Sequence, residues 1–447
     1  MFFRQFVDED LGCASYLVGD EGTHEAVVVD PSFAIEPYLE EATFRGLRLV
    51  AVLETHTHAD HVSGHGRLAL EHGLPVRIHP AAQPEYTFEP LADGDTLDLG
   101  ETRITVIHTP GHRPEHCAFA VADRTRAEEP WLVLTGDSLF VGDAARPDLA
   151  VEAREGAAGL FSSLRHLLEL PDGVEVYPGH VAGSLCGAAM SSKASTTVGF
   201  ERRFNPMLGP RTVEAFVAAS TATASAPRPP NMERIVELNR GPFVGQPPRL
   251  ESIGTTDGAV VLDVRDAELF AGGHISGAIN VPVSSSAFGT KAGFVLHPDD
   301  RVAIHAASPD EAERAAGRLH AVGFLNLAGR LDDPETPAKT DPVELDELER
   351  LVSDDAVVLL DVREKDERDD GYIAGSVNVP YRLLRDLGGD LSEGRPVVTI
   401  CDSGARAGIA ASVLAAQGVD ARPVLHGGVP DWAESGHDTV QFRRCGS

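Results

Sequence analysis

Short apolar runs recur along the first 230 residues, separated by loops that carry Gly, Asp and His. Apolar runs of this length between turn residues predict β-strands. They lie at residues 25–29, 49–53, 103–107 and 131–134. Helical periodicity is rarer and predicts helices at 36–43 and 159–168. This half should therefore form sheets flanked by helices, with its functional polar residues in loops at strand ends.

The second half contains an internal repeat. Residues 260–282 match residues 358–380 at an offset of 98 positions, with 11 of 23 residues identical. In each copy a second apolar run follows, at 302–304 and 397–400, and then an Ala-rich helical segment. Strands that alternate with helices predict a small α/β domain with a parallel sheet, here present twice.

Two shifts in composition predict domain boundaries. Residues 220–230 are small, polar and Pro-rich, and residues 331–342 combine three prolines with acidic side chains. Such stretches are typical of linkers. With 447 residues, about three domains are expected, which we place at 1–235, 236–335 and 336–447.

The net charge of −31 argues against nucleic acid and anionic membranes as partners, because a phosphate backbone needs clustered Lys and Arg. The acidity fits either a salt-tolerant source or an ordinary solvated surface, and both remain open. No apolar run approaches the roughly 18 residues of a membrane span. Charged residues appear too early in the chain for a signal peptide, so we expect a cytoplasmic protein.

The five cysteines are sparse, odd in number and without a C-x-x-C pair, which disfavours a disulfide framework. Cys13 and Cys117 lie beside apolar runs and are predicted to be core residues. Cys445 lies in the tail and has no predicted role.

Seven metal-ligand side chains follow apolar runs in the first half. Four of them fall within six residues, directly after the run at 49–53, and three come later in the chain. They are His56, His58, Asp60, His61, His112, Asp137 and His180. A loop can direct all four close neighbours into one space, and imidazole and carboxylate groups bind transition metals. The pattern predicts a metal site at one edge of the sheets.

This H-x-H-x-D-H pattern resembles the metallo-β-lactamase superfamily over residues 1–235. The resemblance implies an αββα sandwich. Dinuclear zinc hydrolases of that superfamily would use His56, His58 and His112 at one metal. They would use Asp60, His61 and His180 at the other, with Asp137 as the bridge. Every one of these residues is present, so a dizinc thioester hydrolase like glyoxalase II remains the alternative.

The residues around the motif look like the persulfide dioxygenase branch, notably at 6–17, 54–64 and 142–149. That resemblance implies one Fe(II) per chain, no organic cofactor, and His56, His112 and Asp137 as ligands. Three ligands on one face leave positions for O₂ and a persulfide. The other four side chains would orient the ligands or handle protons.

Two further residues come from the same resemblance. Arg146 could bind substrate, or it could simply brace its loop. The segment 179–187 resembles bacterial fused persulfide dioxygenase–sulfurtransferases, so Cys186 could hold or relay a persulfide. A small buried hydrophobe is the alternative role for Cys186.

Cys401 lies between an apolar run and an Ala-rich helix, where backbone N–H groups stabilise an anion. The loop residues are Cys401, Asp402, Ser403, Gly404, Ala405, Arg406 and Ala407. Four residues separate Cys401 from Arg406, one fewer than in related cysteine phosphatases, which suits one sulfur atom rather than a phosphate. The segment resembles the rhodanese family over about 340–440. We expect Cys401 to be a thiolate that carries a persulfide, with Arg406 beside it.

The first copy of the repeat has no cysteine. Aligning residues 302–304 with 398–400 sets His305 opposite Cys401. We expect this copy to be a rhodanese-like scaffold, although a catalytic role for His305 stays open.

Together these features predict a bifunctional enzyme of sulfide detoxification. The metal site would oxidise a thiol persulfide of glutathione, coenzyme A or a similar thiol with O₂, giving sulfite and the thiol. Cys401 would transfer sulfane sulfur to or from thiosulfate. The resemblance also implies a homodimer or homotetramer. A third possibility is a sulfur carrier or sensor whose metal domain only binds.

Overall fold

The computed structural model describes residues 1–147, 152–181, 191–222, 227–387, 391 and 394–441. The chain divides into two compact units. The first comprises Met1–Pro247 with Ala321–Gly323, and the second comprises Pro248–His320 with Phe324–Ser447. The first boundary thus falls twelve residues beyond the position we placed at 235. A helix at Met232–Arg240 runs across the predicted position, and Asn239 on it contacts the first unit.

The first unit contains two six-stranded sheets. The first sheet runs in the order β1 to β6, with β1 (Phe2–Val7), β2 (Ala14–Asp20), β3 (Glu25–Val29), β4 (Arg48–Leu53), β5 (Val76–Ile78) and β6 (Glu89–Pro90). Strands β1, β2 and β3 are antiparallel, whereas β3 to β6 are parallel. The predicted strands at 25–29 and 49–53 are therefore confirmed.

The second sheet has the order β14-β13-β10-β9-β8-β7, and β11 and β12 form a separate hairpin. These strands are β7 (Thr96–Leu99), β8 (Thr102–His108), β9 (Cys117–Asp123), β10 (Leu132–Gly136), β11 (Leu139–Phe140), β12 (Asp143–Ala144), β13 (Glu175–Pro178) and β14 (Thr196–Thr197). Only β10 and β13 are parallel among the pairs of this sheet that the structure describes.

The helices of the unit are α1 (Glu36–Arg45), α2 (His65–His72), α3 (Ala153–Leu167), α4 (Val198–Phe204), α5 (Val213–Ala222) and α6 (Met232–Arg240), with 3-10 turns at Pro80–Ala82 and Pro206–Leu208. Helix α1 has a proline in its first turn and ends at Gly46 in the left-handed conformation, with φ 66°. Helix α3 begins six residues before the predicted start, because its polar first turn lacks apolar periodicity.

Alternating side chains explain the layers of this unit. On β2, Tyr16 and Val18 belong to the core between the sheets, while Leu17 belongs to the core beneath α1 and α2. On β10, Leu134 faces the inner core and Val133 joins the core beneath α3 and α5. A period of two sends successive side chains to opposite faces, and both faces are buried. The unit is thus the predicted αββα sandwich.

The second unit contains two parallel sheets. The first has the order β15-β19-β18-β16-β17, and the second has the order β21-β20-β22-β23. The strands are β15 (Ser252–Ile253), β16 (Val260–Asp263), β17 (Ile279–Asn280), β18 (Val302–His305), β19 (Leu327–Leu331), β20 (Val358–Asp361), β21 (Val377–Asn378), β22 (Val397–Ile400) and β23 (Ala421–Pro423). The parallel α/β prediction is confirmed in both copies.

The helices that flank these sheets are α7 (Ala267–Gly272), α8 (Phe288–Val295), α9 (Pro309–Ala321), α10 (Leu345–Ser353), α11 (Lys365–Asp370), α12 (Leu384–Leu387), α13 (Ala405–Ala416) and α14 (Val429–Glu434), with a 3-10 turn at Tyr381–Leu383. The two copies pack against each other through α13. The Ser412 hydroxyl on this helix accepts a 2.9 Å hydrogen bond from the Asn280 backbone N–H on β17. The first copy thereby supports the helix that follows the Cys401 loop.

Strand register corrects the alignment of the two copies. Asp263 pairs with His305, and the equivalent Asp361 pairs with Ile400. His305 therefore corresponds to Ile400, and Ala306 rather than His305 occupies the Cys401 position. Sequence matching slipped by one residue because the short apolar runs of the two strands, at 302–304 and 397–400, match in more than one register. His305 is buried within its strand and contacts Asp263 Oδ2 at 3.0 Å.

In the part of the chain that the structure describes, no helix combines the length and apolar character needed to cross a bilayer.

Candidate metal centre and sulfur-transfer loop

The loop after β4 places three imidazoles in the interior: His56, His58 and His61 are each at most 3% exposed. The chain between β8 and β9 adds His112, and the end of β10 adds Asp137. The seven predicted ligand residues thus lie at strand ends of one sandwich. The structure then divides them among three groups with different surroundings.

His56, His112 and Asp137 form the first group, and their ligand atoms all lie within 4.8 Å of one another. His56 Nε2 lies 3.9 Å from Asp137 Oδ2, and His112 Nε2 lies 3.7 Å from the same oxygen. His56 Nε2 is buried and has no hydrogen-bond partner. A buried nitrogen without a partner is costly unless something such as a metal binds it. The residues present therefore fit a metal ion.

The remaining ring nitrogens of this group fix its orientation. His56 Nδ1 lies 2.9 Å from the Thr55 hydroxyl, which itself donates to Asp30 Oδ2 at 2.8 Å, so the hydroxyl accepts from His56. His112 Nδ1 lies 3.2 Å from the Arg146 carbonyl oxygen and donates to it. Both histidines consequently present Nε2 to the centre of the group. Such contacts behind metal-binding histidines set the tautomer and hold the ring.

The protonation states suit metal binding. Burial lowers the pKa of His56 and His112 below the ordinary value, which favours neutral imidazole. Burial alone would raise the pKa of Asp137, but the charge and hydrogen bond of His180 outweigh it, and the pKa is lowered. Two neutral imidazoles and one carboxylate form a ligand set typical of non-haem Fe(II) sites.

His116 is a residue of this centre that the sequence did not reveal. Its Nε2 accepts a 2.9 Å hydrogen bond from the Asp137 backbone N–H, so its Nδ1–H donates to the Thr109 hydroxyl at 2.8 Å. Burial, with the nearby His112, lowers the pKa of His116 to about 3. Gly136 has a φ of 46°, and a Cβ there would lie 2.7 Å from His116 Nε2. A neutral His116 therefore positions the metal-facing aspartate.

His58 belongs to a second group with Asp30 and Glu54. Its Nε2 lies 3.1 Å from Glu54 Oε2 and 3.3 Å from Asp30 Oδ1. Burial would lower the pKa of His58, but the two carboxylates raise it well above the ordinary value. This group is an internal ion-pair network, although His58 Nδ1 is buried without a hydrogen-bond partner.

Cys13 joins Asp60 and His61 in the third group, with His180 beside it. Its Sγ lies 3.2 Å from Asp60 Oδ2, 3.5 Å from His61 Nδ1 and 3.4 Å from His180 Nε2. Cys13 is buried, as predicted, but the sequence did not reveal its contacts with this polar group. The isolated bridge between Cys13 and His180 brings the thiol there, and no spacing along the chain signals it. Cys117, by contrast, lies in the core between the sheets as predicted.

Arg146 is buried, and its Nη1 donates to the Pro227 carbonyl at 3.0 Å. Its own carbonyl holds His112. These contacts support the loop-bracing role that the sequence left open. Cys186, Cys445 and the end of the 142–149 segment lie outside the described residues.

Asn239 on α6 stabilises the loop that contains His58, His61 and Ser63. Asn239 Nδ2 donates to the carbonyls of His58 and His61 at 3.0 and 2.8 Å. Its Oδ1 accepts from the Ser63 N–H at 2.8 Å. One buried side chain thus satisfies three backbone groups of a loop that has no regular hydrogen bonding of its own.

In the second unit, Cys401 directly follows β22 and is 1% exposed. The Gly404 N–H donates to its Sγ at 3.1 Å. Gly404 has a φ of 92°, and a Cβ there would overlap the Leu425 carbonyl. Helix α13 then begins at Ala405. The predicted arrangement of strand, cysteine loop and helix is present, with one backbone N–H directed at the sulfur.

Arg406 faces Glu367, a residue that the sequence did not single out. Two hydrogen bonds of 2.6 Å join the guanidinium to the carboxylate. Burial opposes the charge of Arg406, but Glu367 outweighs it and raises the pKa of Arg406. The positive charge at the end of the loop is consequently already paired.

A cavity of about 370 Å³ lies at this loop. Polar and charged residues form one part of its lining and apolar residues the rest. The lining comprises Arg363, Glu367, Asp370, Gly371, Asp402, Val429, Pro430, Ala433 and Thr439. Asp402 directly follows Cys401, so the cavity lies beside the cysteine loop, while Cys401 itself is not part of the lining.

The first copy has lost this arrangement. Ala306 occupies the Cys401 position, and Glu311 occupies the Arg406 position. The Ala307 N–H donates to Glu311 Oε2 at 2.6 Å. A carboxylate from its own helix α9 thus takes up a loop N–H, which supports the scaffold role.

The fold and the site together define an αββα sandwich with a candidate metal centre, followed by two small parallel α/β domains. A model of the metallo-beta-lactamase superfamily matches residues 8–180, and a rhodanese-like domain model matches residues 248–333 and 344–435. The chain belongs to the metallo-β-lactamase superfamily and carries two rhodanese-like domains.

Individual relatives agree with this assignment. The chain is 29% identical over 256 residues to mitochondrial persulfide dioxygenase ETHE1 of Bos taurus, covering 56% of this chain and 91% of that protein. It is 31% identical over 266 residues to a hydroxyacylglutathione hydrolase of Cereibacter sphaeroides, covering 58% and 91%. A metallo-beta-lactamase crystal structure from Staphylococcus aureus matches with a TM-score of 0.68 and 29% identity. That match covers 74% of this chain and 98% of the other.

We predict that Asn239→Ala destabilises the first unit by about 2–4 kcal/mol, because buried backbone groups lose their partners. Scanning calorimetry should show a lower melting temperature for the transition of this unit. The matched control is Asn326→Ala, since Asn326 is exposed in the second unit. An Asn239→Ala protein that melts with the wild type would contradict the role of this side chain.

We predict that His116→Ala weakens metal retention by about 10- to 100-fold, because Asp137 loses the group that positions its backbone. Metal content after dialysis against graded chelator measures the effect, and circular dichroism checks the fold. His72→Ala, at an exposed histidine, serves as the control. Equal metal retention in both variants would show that His116 does not position the ligand.

Proposed function

We propose that the chain is a bifunctional persulfide dioxygenase and sulfurtransferase. The observation that carries the proposal is the presence, in one chain, of a His56–His112–Asp137 group with an unpaired buried nitrogen and a Cys401 loop with an N–H directed at sulfur. The similarity to persulfide dioxygenase ETHE1 supports the first activity. The rhodanese-like match over residues 344–435 supports the second.

The first reaction converts a thiol persulfide, O₂ and water into the thiol, sulfite and two protons. Fe(II) held by His56, His112 and Asp137 would supply the centre at which O₂ and the terminal persulfide sulfur react. The terminal sulfur loses four electrons to O₂, and its bond to the inner sulfur breaks. His56 and His112 keep their Nε2 atoms directed inward through Thr55 and the Arg146 carbonyl.

Proton handling in this reaction falls to the neighbouring groups. His180 Nδ1 lies 2.8 Å from Asp137 Oδ1, and its Nε2 lies 2.7 Å from Asp60 Oδ2. This chain of two carboxylates and one imidazole can move a proton away from the metal-facing aspartate. Asp137 and His180 are buried and Asp60 is partly exposed, so Asp60 is the end of the chain nearest to solvent.

The second reaction proceeds through Cys401. Its thiolate attacks the terminal sulfur of a donor, the donor S–S bond breaks, and the donor thiolate leaves and takes up a proton. The resulting Cys401 persulfide passes its terminal sulfur to an acceptor and regenerates the thiolate. Thiosulfate, as product from sulfite or as donor, is one partner expected from the rhodanese resemblance. Joining both sites in one chain raises the effective concentration of each product at the other site.

We expect the protein to act in the cytoplasm as a homodimer or homotetramer. Its substrate would be a persulfide of glutathione, coenzyme A or a similar thiol. Its role would be sulfide detoxification. The net charge of −31 fits small-molecule substrates rather than nucleic acid.

A dizinc thioester hydrolase is a second candidate for the first unit. His58 Nδ1 and His61 Nε2 are both buried without a hydrogen-bond partner, as ligand atoms of a dinuclear site would be in the absence of metal. The hydroxyacylglutathione hydrolase relative points the same way.

Metal analysis combined with oxygen uptake separates the two candidates. We predict about one iron per chain and O₂ consumption on addition of glutathione persulfide, with both lost in His112→Ala because a ligand is removed. An oxygen electrode and elemental analysis give the result, and His72→Ala controls for surface changes. Two zinc ions per chain, thioester hydrolysis and no O₂ uptake would establish the hydrolase instead.

We predict that Cys401→Ser abolishes sulfur transfer and leaves O₂ uptake at the first unit intact. Mass spectrometry after incubation with a persulfide should show one added sulfur on wild-type Cys401 and none at the substituted position. Cys117→Ser tests for nonspecific labelling of a buried thiol. Undiminished sulfur transfer by Cys401→Ser would eliminate Cys401 as the carrier.

A further inference from the structure

We infer that the end of helix α9, in the rhodanese-like copy without a cysteine, positions the metal loop, by which we mean residues 54–64. Helix α9 (Pro309–Ala321) belongs by sequence to that copy, but the residues at its end, Ala321–Gly323, form part of the first compact unit. The inference rests on the metal chemistry proposed for the first unit. It gives the cysteine-free copy a positioning role at the metal centre, in addition to its support of helix α13.

The peptide group between His61 and Val62 is held through both of its polar atoms. The His61 carbonyl accepts a 2.8 Å hydrogen bond from Asn239 Nδ2, and the Val62 N–H donates to the Ala321 carbonyl at 2.7 Å. Because a peptide group is planar, these two bonds fix the direction in which the chain leaves His61. Val62 is 1% exposed, so loss of the Ala321 carbonyl would leave its N–H buried without a partner, which is costly.

The segment Ala321–Gly323 is in turn held against helix α6, which also carries Asn239. Asn231, directly before that helix, donates from Nδ2 to the Val322 carbonyl at 3.2 Å. The glycine that ends the segment packs on the same helix, since a Cβ there would lie 3.5 Å from Ile235 Cγ1. Both partners of the peptide group after His61 are therefore supported by one helix.

The position of His61 bears on the metal centre through a series of buried contacts. His61 Nδ1 lies 3.2 Å from Asp60 Oδ1, and Asp60 Oδ2 lies 2.7 Å from His180 Nε2. His180 Nδ1 lies 2.8 Å from Asp137 Oδ1. A displacement at the end of α9 thus reaches the carboxylate that faces the candidate metal position. Contacts behind a ligand of this kind govern how firmly a metal is held.

The duplication supplies a matched pair of glycines for testing this role. Gly323 follows α9 with a φ of 88°, and Gly418 follows the equivalent helix α13 with a φ of 85°. In both copies the residue after the glycine donates its N–H to the carbonyl five residues earlier, at 3.0 and 3.1 Å. Alanine meets the same backbone strain at either position. Gly323 belongs to the segment that contacts the metal loop, whereas Gly418 lies in the second unit.

The test compares Gly323→Ala with Gly418→Ala in the full-length protein. Both substitutions should lower the melting temperature to a similar extent, because both place alanine in the left-handed region. In Gly323→Ala alone, the amide of Val62 should exchange with deuterium faster. A chelator should also remove bound Co(II) at least about threefold faster from this variant. The visible absorption spectrum of the Co(II) protein should change as well, because it reports the geometry of the ligands.

Asn231→Gly is a second, independent perturbation of the same segment. It removes the side chain that holds the Val322 carbonyl and keeps a residue that tolerates the φ of 57°. This variant should reproduce the faster exchange at Val62 and the faster loss of Co(II). Equal exchange and equal Co(II) loss in Gly323→Ala and Gly418→Ala would overturn the inference. A wild-type protein that binds neither Co(II) nor iron would instead overturn the proposed dioxygenase, and exchange at Val62 would still test the contact with α9.

Discussion

The candidate metal centre depends on burying the Asp137 carboxylate among imidazoles. A buried carboxylate is costly unless charges and hydrogen bonds compensate it. Here His180 supplies a 2.8 Å contact to its side chain, and His116 accepts its backbone N–H. The sandwich edge is arranged around this group, since strands from both sheets end where its partners lie. The backbone N–H and Oδ1 of Asp137 thus have hydrogen-bond partners. Its Oδ2 faces His56 and His112 at 3.9 and 3.7 Å, and a cation between these three groups would complete the contacts.

The sequence predicted those parts of the site that depend on a local pattern and missed those that depend on contacts between distant parts of the chain. Ligand types that follow apolar runs were visible along the chain and led to all seven candidate residues, and the family resemblance singled out His56, His112 and Asp137 among them. The groups around the seven candidates were not visible, because Cys13, Asp30 and His116 come from distant parts of the chain. Their sequence spacing has no periodicity related to the contact. The αββα layers were predictable, since alternation along each strand records which face is buried.

A comparison of the two copies separates the shared residues that stabilise the fold from the differing residues at the site of the proposed chemistry. Asn280 donates to the carbonyls of Asp263 and Arg265, and Asn378 makes the same two bonds to Asp361 and Arg363 in its copy, all at 2.9 Å. These residues, which are identical in the two copies, thus stabilise the backbone at the ends of β16 and β20. The two copies differ where chemistry would occur, at the loop after the central strand. The one-residue error in aligning His305 arose there, because apolar strands contain little register information.

Charge also bears on how the two proposed activities would share one chain. A protein with a net charge of −31 repels a released sulfite dianion, so sulfite that escapes into solution is not drawn back to the protein. Such repulsion between exposed charges is screened beyond about 8 Å at physiological ionic strength. Joining both sites in one chain counteracts the repulsion, because it raises the effective concentration of sulfite at Cys401 before the product is diluted.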